Sequence, residues 1–159
     1  MTTINKNYER TLQQFGGVPF GNQSTLFYNF TTTSAGVLTD SDLTTAIQSA
    51  DVVRLGVLPA GAKLIDCMTI ISDAFTASTT ASIGFQYVDG VDSTPVPQSA
   101  TYFASALATD ATSVTRKTEK NAPVVLPKDA YLILTIGGAA HGSLGIMDLM
   151  VSMVQTGGS

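Results

Sequence analysis

The stretch Ser24-Thr25-Leu26-Phe27-Tyr28-Asn29-Phe30-Thr31-Thr32-Thr33 sends Leu26, Tyr28 and Phe30 to one side of an extended chain. A period of two is the mark of a strand with a buried face, because successive side chains of a strand point to opposite faces. The same reading holds at the other end of the chain, in Leu144–Val154. Gly145, Met147, Leu149, Val151 and Met153 fall on one face there. The other face holds Leu144, Ile146, Asp148, Met150, Ser152 and Val154 and is also mostly apolar. Two greasy faces imply burial on both sides or a contact with another subunit.

Between these strands the pattern repeats. Asp51–Leu58 alternates through Val53, Leu55 and Val57, and Pro59-Ala60-Gly61-Ala62 turns the chain with a fixed φ followed by a permissive one. Lys63–Ser72 is apolar on both faces, as expected where two layers cover a strand. Ala81–Val88, Ala100–Ala106, Pro123–Leu126 and Ala130–Gly137 read as further strands, separated by loops rich in Asp, Gly, Pro and Ser. Residues 108–122 hold Arg116, Lys117, Glu119 and Lys120, the densest charge in the chain, and read as a solvated edge or loop. One helix is predicted over Ser41–Ala50, where Leu43, Ala46, Ile47 and Ala50 recur at helical spacing and Asp40 or Ser41 serves as cap. Residues 1–23 read as an extended N-terminal arm. Phe15, Val18 and Phe20 lie there among Gly16, Gly17, Pro19 and Gly21, which prevent a regular helix or a central strand. They are hydrophobic anchors for a partner or the residues of an ordinary frayed terminus. Eight or nine strands, one short helix and no alternation of strand with helix predict an all-β antiparallel sandwich over residues 24–159, most simply a jelly roll.

Composition narrows the chemistry. The 159 residues carry a net charge of −4, so nothing neutralises phosphates and nucleic acid is not an expected partner. Only 13% of residues are charged, about half the usual share, so much of the surface is expected to face something other than water. One cysteine, Cys67, and one histidine, His141, exclude a disulfide framework and the familiar cysteine and histidine metal clusters. No apolar run reaches the length of a membrane span, and Met1–Phe15 is polar, so synthesis in a cytosol is expected.

No constellation of reactive residues stands out. His141 lies in a Gly/Ala-rich link and reads as a loop-tip residue, with no nucleophile motif near it. The only glutamates, Glu9 and Glu119, sit in polar stretches. Asp66 and Asp148 are unusual acids because they interrupt apolar strands; edge or outward positions, with Arg54 as a partner for one of them, account for them without catalysis. Asp89-Gly90-Val91-Asp92-Ser93 gathers oxygen ligands but reads first as a turn. Met147, Met150 and Met153 line an adaptable interface or fill a core. The expectation is a protein without catalytic residues, cofactor or metal.

The segment Asp51-Val52-Val53-Arg54-Leu55-Gly56-Val57-Leu58-Pro59-Ala60-Gly61-Ala62-Lys63-Leu64 resembles a segment of small structural proteins of tailed bacteriophages. The similarity continues through Ile71–Phe75, Ile83–Phe85 and Pro127–Ala130 and spans roughly residues 24–155. These are capsid decoration, or cement, proteins. The resemblance implies a jelly-roll fold and a homo-oligomer, a dimer or a trimer, on the outer surface of the virion, made in the host cytoplasm. It implies the major capsid protein as partner, with adjacent capsid subunits clamped together, and no membrane or nucleic acid contact. Phe15, Val18, Phe20, Met147, Met150 and Met153 are then candidate contacts to the capsid or to other copies. The rival reading is a lectin-like or receptor-binding module of a head or tail fibre, which predicts exposed aromatics such as Tyr87, Tyr102 or Phe103 at one end of the sandwich.

Overall fold

The computed structural model describes residues 1–6 and 23–156. Ten strands follow one another: β1 (Thr3–Asn5), β2 (Gln23–Thr32), β3 (Val52–Leu58), β4 (Ala62–Asp73), β5 (Thr79–Tyr87), β6 (Ser99–Ala108), β7 (Ser113–Arg116), β8 (Val124–Val125), β9 (Ala130–Gly138) and β10 (Gly145–Gln155). They form two sheets. The first has the order β1-β3-β9-β5-β6; the second has β2-β10-β4-β7, with β8 also paired to β4. Every pairing is antiparallel except that of β1 with β3. Most connections carry the chain from one sheet to the other, so neighbours in sequence face each other across the core.

Alternation decides what fills that core. Leu26, Tyr28 and Phe30 from β2 meet Met147, Leu149, Val151 and Met153 from β10, all buried. Val53, Leu55, Ile83, Phe85, Leu132, Leu134 and Ile136 come from the first sheet. Each such side chain contributes about 1.5–3 kcal/mol by leaving water. Packing is close enough to dictate one glycine. A Cβ on Gly56 would stand 2.5 Å from Cε1 of Tyr28, whose hydroxyl donates to the Val57 carbonyl at 3.1 Å.

Two expectations are corrected. Among the described residues there is no helix, and residues 41–50 form an irregular cap. The backbone donors a helix would use internally are taken elsewhere: Ile47 N–H donates to the Gly36 carbonyl, Leu43 N–H to the Ser41 hydroxyl, and Gln48 N–H to the Asp51 carboxylate. Ile47 still buries fully, so its apolar spacing served burial but not a helix. Secondly, the first residues are part of the body. Thr3, Ile4 and Asn5 pair with Val52, Val53 and Arg54, and Thr2 N–H donates to buried Asp51. Lys6 then reaches across to the second sheet, its ammonium donating to the Asn29 carbonyl. The remainder of the proposed arm, with Phe15, Val18 and Phe20, lies outside the described residues. The charged run 108–122, expected as a solvated edge or loop, contains β7, a short edge strand paired to Met68–Ile71 of β4.

Candidate interaction surface

The reactive side chains are each engaged in holding the fold. His141 is 2% exposed and sits edge-on to Phe30 and Phe75, with ring centroids 5.9 and 5.1 Å away. Neither ring nitrogen has a hydrogen-bond partner among the described residues, and burial lowers its pKa to about 4. It is an interior group in place of the expected loop-tip residue. Asp66 is bound by Arg116, whose Nε donates to it at 2.8 Å; Arg54, the expected partner, lies instead over the Tyr131 ring at 4.7 Å. Asp148 accepts from the Asn29 amide at 2.8 Å. Asp89 is held below the usual carboxylate range by its hydrogen bond from Lys128, 2.7 Å away. Asp92 accepts from the backbone N–H groups of Ser93 and Gln98. Burial pushes the Cys67 thiol up to about 12. Among the described residues no three metal-ligating side chains come together.

The aromatics that a sugar-binding or receptor-binding end would expose are inside. Tyr87, Tyr102 and Phe103 are buried, and the two hydroxyls donate to the carbonyls of Val96 and Ala122. The three methionines of β10 separate by parity. Met147 and Met153 are fully buried and fill the core, which corrects their expected place on a contact surface. Met150 faces outward and is half-buried.

That outward face is the unusual surface of the molecule. Along β10 it carries Ile146, Asp148, Met150, Ser152 and Val154, all of intermediate exposure. Register places Met68 opposite Met150, and Ile70 opposite Asp148. On β7, Val114 stands opposite Ile70 and is 69% exposed; on β4, Ile65 is 37% exposed. Phe27, the neighbour of Met150 on β2, is 56% exposed. β4 was expected between two covering layers, but on this side no layer of described residues covers it. The charges in the middle of the field are already engaged, Asp66 with Arg116 and Asp148 with Asn29, while Lys63 and Asp73 at the two ends of β4 are exposed. A centre whose charges are satisfied internally loses little when water leaves it, whereas an unpaired charge there would make burial costly. The arrangement supplies contact area.

The outer face of the first sheet differs. Thr80, Ser82, Gln86, Tyr131 and Thr135 are among its outward residues, and a shallow depression of about 220 Å³ is bordered by polar Thr3, Gln86, Gln98 and Thr135 together with apolar Val52 and Ile133. Local alternation predicted which residues of each strand turn outward. It held no information on which outward residues of different strands lie side by side, so Met68 was missed as the neighbour of Met150.

No protein-family model matches the chain, and no curated protein matches it. Solved structures do. A chain in the capsid of Ralstonia phage GP4 is 16% identical and superimposes with a TM-score of 0.67, covering 99% of this chain and 100% of that one. A chain in the cyanophage Pam1 capsid asymmetric unit is 19% identical, with a TM-score of 0.56 over 87% of this chain and 89% of that one. At these identities the likeness is one of fold: the whole two-sheet body recurs in chains found in phage capsids.

Proposed function

We propose that this chain is a structural component of a phage virion, a decoration protein that binds the outside of the head as a homo-oligomer and clamps adjacent major capsid subunits. The observation that carries the reading is the apolar outer face of the β2-β10-β4-β7 sheet, whose central charges are paired in place. The fold shared end to end with a chain from a phage capsid supports it. So does the strand order. Without β1 and β8, the two sheets run β2-β10-β4-β7 and β3-β9-β5-β6, the arrangement of two interlocked Greek keys in a jelly roll. No step of bond making is assigned to it, and no cofactor or metal.

The physical logic is that of a bridge. A shell under internal pressure fails where subunits meet, and a rigid module spanning a junction adds contact area there. Repetition makes modest contacts effective, because engaging one subunit raises the local concentration for the next. Electron cryo-microscopy of the particle whose genome encodes this chain tests the proposal. Density for the two sheets over junctions between capsid subunits, on the outer surface, is the expected result. Finding the chain inside the head, in the tail or absent from the particle would overturn it.

A further inference from the structure

We infer that the outer face of the β2-β10-β4-β7 sheet seats a second copy of this chain, packed about a twofold axis that lies in the face, runs across the strands and passes beside Met68 and Met150. This deepens the homo-oligomeric reading above by naming the face and its symmetry. The argument is one of register. Met150 and Met68 are direct cross-strand partners. Toward one end of the sheet Val154 stands opposite Lys63; toward the other, Ile146 stands opposite Asp73. The two pairs are equally far from the central methionines, four positions along β10 and five along β4. A half-turn about the axis therefore exchanges them. It lays each copy's Lys63 on the other's Asp73, Val154 on Ile146, and methionine on methionine, and it brings Arg116, the partner of Met68 on β7, beside the other copy's Arg116, each neutralised by its Asp66.

A twofold contact uses one patch twice, so the patch must complement itself. Two lysines, or two aspartates, at the ends of β4 would repel in this arrangement; one of each attracts and fixes the register. On this face these two charges are also left available. Asp66 and Asp148 are already bound by Arg116 and Asn29, while Lys63 and Asp73 are exposed and have no ion pair or side-chain hydrogen bond with the described residues. The size is adequate. Residues 146–154 extend about 26 Å and four strands about 17 Å, on the order of 1,000 Å² for two copies together, the lower bound of a specific contact. Facing sheets pack about 10 Å apart with strands roughly aligned, which an axis lying across the strands permits. A contact of this size implies a reversible dimer.

Sedimentation of the full chain over a concentration series tests this. The wild type is expected to dimerise reversibly. Lys63→Asp and Asp73→Lys each set like charges against each other twice per dimer, and each should weaken self-association roughly tenfold or more. The double exchange Lys63→Asp with Asp73→Lys should restore it. An equimolar mixture of the two single variants should associate better than either alone, since each supplies what the other lacks. Circular dichroism and melting confirm that these exposed changes leave the fold intact. A chain that stays monomeric at several hundred micromolar, or an oligomer indifferent to the exchanges, overturns the inference. So does a Met150→Asp variant that loses affinity for heads while the wild type is monomeric, since the face then belongs to the shell. Head binding measured in parallel separates the two proposals. A dimer of this geometry with no place on the particle sinks only the capsid reading, and a chain that decorates heads as a monomer sinks only the pairing.

Discussion

The two sheets obey the same alternation inward and differ outward. On the first, the outward positions of β5 are Thr80, Ser82, Gly84 and Gln86. On the second, β10 offers Ile146, Met150 and Val154, with Met68 and Ile70 alongside on β4. Both inner faces are lined by buried apolar side chains, so the fold itself does not require the difference. The lesson is that the inward residues of a sandwich specify its assembly from strands, while the outward ones are left free to make one face more apolar than the other.

The largest way to disturb the comparison is to remove the shape of the first face. A Cβ on Gly84 would stand 2.0 Å from the Ser99 carbonyl oxygen, where β6 crosses close over β5. Because the obstacle is backbone, Gly84→Val should destabilise the fold by about 3 kcal/mol or more, read as a lowered urea midpoint. The two sides of β10 give the next contrast. Met147→Ala opens the core and should cost about 2–5 kcal/mol of stability, whereas Met150→Ala should cost less than about 1 kcal/mol while weakening self-association. Equal losses at both positions would mean that the outer face is as buried in the monomer as the core.

Acid acts on the interior before either face. Because burial lowers the His141 pKa from 6.5 to about 4, the unfolded chain takes up this proton first as pH falls. Stability from this group is complete above about pH 6.5 and is lost progressively toward pH 4, on the order of 3 kcal/mol. His141→Phe should flatten that part of the stability profile in equilibrium unfolding from pH 7 to 4; a slope unchanged by the substitution would assign it to other groups. The smallest effect belongs to the ion pair on the second face. Asp66→Asn should change monomer stability by no more than about 1 kcal/mol, since Arg116 is 72% exposed. Its larger consequence should be on association, through the unpaired guanidinium left on the contact face.

Much of the sandwich was legible because its strands are long and alternate. The Leu26, Tyr28, Phe30 series and the Met147, Leu149, Val151, Met153 series each mark a buried face from sequence alone. The segment 41–50 misled because Leu43, Ala46, Ile47 and Ala50 have the spacing of a helix face. The competing information lay far away in the chain. Gly36 and Asp51 accept the N–H groups that a helix would keep, and Ala50 adopts a positive φ of 70°. β1 and β7 escaped for a different reason, being three and four residues long and defined by the partner they join. The candidate surface was half legible. β10 announced an apolar outer face, but the meeting of Met150 with Met68 depends on register between strands some eighty residues apart.

The parallel pairing of β1 onto β3 has a consequence for aggregation. An open sheet margin invites strands from other chains. Thr3–Asn5 covers Val52–Arg54, and Asp42 in turn takes both the N–H and the carbonyl of Asn5. A short N-terminal segment thus guards this edge against strand addition, and the pairing inferred above uses the broad flank of the other sheet instead.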